Sequence, residues 1–141
     1  MEACLDRHLG LRLRWPGARR KARLRLKSIG AVPAERAGIV FTLSNSSASR
    51  LAITAALNDI DRDLGILAKR PLTAHLVEQA LDITARERLR WTKGGRLRTA
   101  GTSKIRRGQQ IVLNLYPIDS IEQLIREPQR IQSWREARCP G

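Results

Sequence analysis

Residues 72–95 read LTAHLVEQALDITARERLRWTKGG, and the way this stretch divides decides the fold. Leu76, Val77, Ala80 and Leu81 recur at helical spacing, which predicts a helix running to about Leu81 with Thr73 as its N-cap. Leu72 before the cap and Val77 within the helix hold the two positions of a hydrophobic staple. Asp82 and Ile83 leave room only for a short connector. Thr84 then opens a second helix, and Glu87 three residues on completes a T-x-x-E capping box, in which hydroxyl and carboxylate each satisfy the other residue's backbone N–H. Gly94 and Gly95 close it.

Two helices so closely joined need a sharp turn between them, which is the helix-turn-helix arrangement. In the second helix Ala85, Leu89 and Thr92 fall on one side, the expected packing face. Arg86, Arg90 and Lys93 repeat the same spacing on another side, with Arg88 flanking them. Like charges crowded on a short helix repel, so such a face is expected to meet an anion. A helix of this width fits the DNA major groove, where arginine bridges guanine acceptors or holds a phosphate.

Beyond the glycines the period changes from helical to alternating. Pieces at about 102–107 and 110–116 predict a hairpin joined at RGQQ, with Ile111, Leu113 and Leu115 on one face. Arg96, Arg98, Lys104, Arg106 and Arg107 extend the cationic run of the helix into this hairpin. The nine cations from Arg86 to Arg107 are the candidate DNA-binding residues. Trp91 and Tyr116 read as core rather than as stacking platforms. Pro117 ends the hairpin, Asp119 or Ser120 is the expected cap of a short helix with Ile121 and Leu124 inside, and a last helical piece around IQSWREAR follows Pro128.

Upstream, GIVFTL at 38–43 predicts a strand. Ser47 or Ser49 starts a helix whose stripe of Ile53, Leu57, Ile60 and Leu64 is closed by Gly65. Residues 1–37 are strongly basic and alternate leucine with arginine in LGLRLRW and ARLRLK. Broken by Pro16, Gly17, Gly30 and Pro33, they read as a flexible basic arm rather than an ordered strand pair. The expected organisation is therefore an arm at 1–37, a folded domain at 38–127 and a C-terminal helical tail at 128–141.

Charge points the same way as the helix. The 141 residues contain 27 Lys and Arg against 13 Asp and Glu, a formal net charge of +14. A coding preference for arginine over lysine does not explain an excess of cations over anions. Nucleic acid is the leading partner, ahead of an anionic membrane or an acidic protein. No apolar run is long enough to span a membrane, and MEACLDRHLGLRLRW is too interrupted by arginine for a secretory signal, so a cytoplasmic protein is expected.

Cys4 and Cys139 lie near opposite ends, and His8 and His75 are isolated, so no metal site, cofactor or disulfide framework is expected. Glu78, Asp82 and Glu87 have no nucleophile or histidine at telling spacing. KGGRLRTAG puts its lysine before the glycines and is no phosphate-binding loop. An enzyme is not expected.

The stretch ITARERLRWTKGGRLRTAG resembles the recognition helix and turn of the winged helix-turn-helix found in MerR-like regulators and phage excisionases. The shared features are Thr84 as cap, Arg86, Trp91 seven residues after the cap, then Gly95, Arg96 and Leu97 opening the wing. YPIDSIEQL likewise resembles the segment that closes the wing. The resemblance covers about Leu72 to Leu124. It implies an α+β, winged helix-turn-helix fold and sequence-specific binding of double-stranded DNA, as a transcriptional regulator or an excisionase-like recombination directionality factor. The family places an apolar residue four after the cap, where this chain has Arg88. The long dimerisation helix and effector domain of MerR regulators have no counterpart, so no small-molecule ligand is implied. A homodimer would suit the motif, with Trp134 the large apolar residue available for it. An RNA-binding accessory protein and an adaptor docking an acidic protein are the runner-up readings.

Overall fold

The structure, a computed structural model, describes residues 8–33, 41–42 and 49–137. It is mixed α and β, and it divides into two compact units, Met1–Lys69 and Arg70–Gly141.

In the first unit, α1 (Leu9–Leu13) and α2 (Trp15–Ser28) precede a minimal antiparallel pair, β1 (Val32–Pro33) with β2 (Phe41–Thr42), and the long α3 (Arg50–Lys69). Residues 9–28 are thus helical, neither an arm nor a strand pair. The reason lies in the alanines. Ala18, Ala22 and Leu26, at intervals of four, are buried, and they pack with Ile60, Leu64 and Leu67 of α3. The leucine–arginine alternation misleads because Leu24 and Leu26 lie on different helix faces, Leu24 being 60% exposed. Trp15, half-buried, packs against this core as well.

Helix α3 starts where Ser49 accepts the Ala52 N–H at 3.2 Å, a side-chain cap. Gly65 does not close it. The helix runs on to Lys69 because Leu64, Leu67 and Ala68 still have α1 and α2 to pack against, which outweighs a glycine cost of about 1 kcal/mol. Its buried face is Ala56, Ile60 and Leu67, so Leu57 of the expected stripe lies exposed. Arg25 of α2 reaches Asp63 at 3.1 Å and Asp59 at 3.6 Å, one turn apart on α3, and Arg14 donates to the Leu67 carbonyl at 3.1 Å. Helix α3 therefore belongs with the N-terminal helices, and the boundary falls near residue 70 rather than 38. Of the strand expected at 38–43, residues 41–42 form β2 and the others lie outside the described residues.

The second unit runs α4 (Ala74–Leu81), α5 (Ala85–Lys93), a hairpin of β3 (Gly101–Arg107) and β4 (Gln109–Leu115), α6 (Ile118–Arg126) and α7 (Pro128–Glu136). Its core is Leu72, Val77, Ile83, Trp91, Leu97, Tyr116, Ile121, Leu124 and Ile131. Helix α6 begins one residue before the expected caps, with Pro117 at the N-cap and Asp119 in the first turn. Proline's fixed φ suits that entry, and an acid in the first turn complements the helix dipole. The helix expected after Pro128 forms as α7, and it is packed rather than trailing: Ile131 is buried and Trp134 packs on Trp91. Among the described residues, no helix is long and apolar enough to cross a membrane.

Candidate nucleic-acid interface

The α4–α5 turn is set by local chemistry. Asp82 ends α4 in the left-handed region (φ 50°), a conformation its short polar side chain tolerates better than most. The Ile83 N–H closes onto the Glu78 carbonyl at 3.1 Å, and the Ile83 side chain is buried. Thr73 stands at the N-cap of α4 without a side-chain cap bond. Thr84 makes the full capping box: the Glu87 N–H donates to the Thr84 hydroxyl at 3.2 Å and the Thr84 N–H to the Glu87 carboxylate at 2.8 Å.

A long-range contact reinforces this box. From α7, the Arg135 guanidinium donates to Glu87 at 2.9 Å and to the Asp82 carbonyl at 2.9 Å, joining both sides of the turn. The Arg135 hydrogen bond, then the Thr84 N–H, hold the Glu87 carboxyl at about 2, well below its usual range. The one acid on α5 is thus held against the helix start and does not dilute the cationic face.

The packing face of α5 differs from the expected one. Leu89 is 55% exposed, Ala85 is exposed too, and the inward positions are Arg88 and Trp91. Arg88, with its side chain only 12% exposed, donates to Glu78 at 2.7 Å and to the Tyr116 hydroxyl at 3.0 Å. Burial works against its charge, but the bonds to Glu78 and Tyr116 outweigh it and raise the pKa above arginine's ordinary value. Thr92 completes the network through the Tyr116 hydroxyl at 3.0 Å. The helix is rotated by one residue because a guanidinium with two partners can take a half-buried position that leucine would otherwise fill. Arg88 is therefore a positioning residue that locks α5 to α4 and to the end of β4, and it is not available as a contact.

The remaining candidates separate by placement. Arg86, Lys93, Arg96, Arg98 and Lys104 are exposed. Arg90 is half-buried, its guanidinium 5.7 Å from the centre of the Trp91 ring. Arg106 and Arg107 lie at the end of β3, and their side chains are outside the described residues. Trp91 is 1% exposed and meets Trp134 edge to face, ring centres 5.1 Å apart. Trp134, the residue available for self-association, is thus engaged within its own unit. Arg96 and Arg130 both approach the Trp134 ring, at 6.0 and 5.8 Å. Arg130, which the sequence did not single out, also donates to Glu127 at 3.3 Å. Its place depends on a tryptophan pair that no local pattern announces.

After α5, Gly95 adopts φ 72°, which a residue with a Cβ enters only with strain. The Arg96 and Leu97 N–H groups then turn back onto the Trp91 carbonyl at 2.8 and 3.1 Å, burying Leu97. The hairpin pairs Gly101 with Leu115 through Arg107 with Gln109, with Gly108 (φ 72°) between them. At its base Tyr116 and Leu72 exchange backbone hydrogen bonds of 2.7 and 2.9 Å, tying the hairpin to the start of α4. Towards its tip the cross-strand pair Ile105 and Ile111 is exposed, as are Lys104 and Val112.

Among the described residues no group of histidine, cysteine or acidic side chains could hold a metal ion; Cys4 and Cys139 lie outside them. The arrangement places exposed cations on a helix and on the hairpin that follows it, chemistry suited to an extended anion. No family model, curated protein or solved structure matches the chain.

Proposed function

We propose that the second unit is a winged helix-turn-helix that binds double-stranded DNA sequence-specifically. In this reading α4 and α5 are the motif, α5 is the recognition helix and β3–β4 is the wing. One observation carries it: α5 leaves Arg86 and Lys93 exposed, with Arg90 half-buried beside them against Trp91, while its own acid is engaged by Thr84 and Arg135. Arginine forks on a rigid helix suit guanine edges in the major groove, and Arg96, Arg98 and Lys104 continue the charge along the backbone. The resemblance of Thr84, Arg86, Trp91 and Gly95–Leu97 to MerR-like and excisionase sequences supports the same reading. On it the protein works in the cytoplasm, as a transcriptional regulator or recombination directionality factor.

The test is selection of a duplex from a random pool, followed by titration of wild type and an Arg86→Ala, Arg90→Ala variant. A selected site should bind about a thousandfold or more tighter than random duplex. The double substitution should cost tenfold or more on that site and much less on random DNA. Equal loss on both duplexes, or equal wild-type affinity for duplex RNA, would refute the assignment of α5 as the reading helix.

A further inference from the structure

We propose that the outward face of α2 is a second, sequence-blind surface for the phosphodiester backbone of duplex DNA; this rests on the DNA-binding reading of the second unit. Helix α2 holds Arg19, Arg20, Lys21, Arg23, Arg25 and Lys27 and no acid. Its inner face, Ala18, Ala22 and Leu26, is buried, so the outer face has a fixed orientation. Asp59 and Asp63 of α3 engage Arg25, at the edge of that face. Arg20, Lys21 and Lys27 stay exposed around Leu24.

Arg20 and Lys27 are seven residues apart on one face, a rise of about 10 Å. At that spacing each side chain can reach a separate phosphate of the same duplex, which carries one charge about every 3.4 Å of axis on each strand. Pro16 and Leu24 sit in the same shallow groove as Arg20 and Lys27 and add apolar surface without a hydrogen-bonding group. Such a face holds a backbone and reads no base.

The experiment compares the full-length protein with an Arg20→Gln, Lys27→Gln variant on random and selected duplexes between about 50 and 200 mM salt. The slope of log affinity against log salt should shrink by about 0.9 for each phosphate that is no longer neutralised, close to 2 in all. The preference for the selected site should not change. An unchanged slope on random duplex overturns the proposal. So does a loss seen only on vesicles containing phosphatidylserine, which would give the face to a membrane. Arg20→Lys, which keeps the charge, should keep the slope; if it loses as much as Arg20→Gln, the effect comes from folding and the proposal falls. Should wild type prefer no selected site, the recognition-helix reading fails alone, because the slope on random duplex still judges α2.

Discussion

The two units build their cores from different residues. In the first, the buried set is Leu9, Leu11, Leu26, Ile60 and Leu67 with Ala18, Ala22, Ala31 and Ala56 between them. In the second, Trp91 and Tyr116 dominate, and the largest fully buried side chains all belong to it. Helices packed through alanine approach closely, but their inner face is small and hides among the arginines of the sequence. A tryptophan marks one inward position by its size, as Trp91 does, although the phase of α5 around it is not legible. A local capping box makes α5 readable as a helix, whereas α2 has no such signal and reads like a mobile arm.

The sharpest way to break this contrast is at its largest side chain. Trp91→Ala should cost about 3–5 kcal/mol in chemical denaturation of the second unit, since it removes the ring on which Trp134 rests. A loss under about 1 kcal/mol would mean that the tryptophan pair is not the centre of that core. In the first unit the comparison needs a buried alanine and an exposed leucine on the same helix. Ala22→Asp should destabilise by about 3 kcal/mol through an unpaired buried charge, and Leu24→Asp should stay within about 0.5. Equal effects on a melting curve would return residues 15–28 to an unpacked arm.

Arg88 tests whether α5 is held by an ion pair in place of an apolar contact. Arg88→Ala should cost about 2 kcal/mol, because it strands Glu78 and leaves the Tyr116 hydroxyl with Thr92 alone. Replacing both partners, Arg88→Leu with Glu78→Leu, should come within about 1 kcal/mol of wild type. If the double variant is as unstable as the single one, packing rather than pairing is the role of Arg88.

The smallest effect concerns the cap. Thr84→Ala should cost about 1 kcal/mol. The Glu87 carboxyl is depressed to about 2 in the folded protein. Its contribution is therefore full above its ordinary pKa of 4.5 and is lost as pH falls from there through about 2. Melting temperature should decline over that window, and Glu87→Gln should flatten the decline. An unaltered pH profile in that variant would place the acid sensitivity elsewhere.

Much of the second unit is legible because its signals act within a few residues. The T-x-x-E box, the short connector at Asp82–Ile83, Gly95 after the helix and the alternation at about 110–116 each fix backbone geometry locally, and the structure carries all of them, the last as β4. Helical phase is less accessible. Leu89 is the natural inward residue by pattern, and Arg88 takes its place because Glu78, ten residues back, and Tyr116, twenty-eight ahead, both bind its guanidinium. Among the candidate cations, exposure alone separates Arg86 and Lys93 from Arg88, and sequence carries no such measure.

By itself, the sequence determined an α+β chain with a tightly joined helix pair, a hairpin after it and a large excess of arginine, since local hydrogen bonding and composition suffice for those. The tertiary structure alone decided that residues 9–28 are helical, that Arg135 closes the turn forty-eight residues away at Glu87, and that Trp134 rests on Trp91. Those outcomes depend on which distant surfaces meet. An arginine or an alanine has no fixed place until its partner is in position.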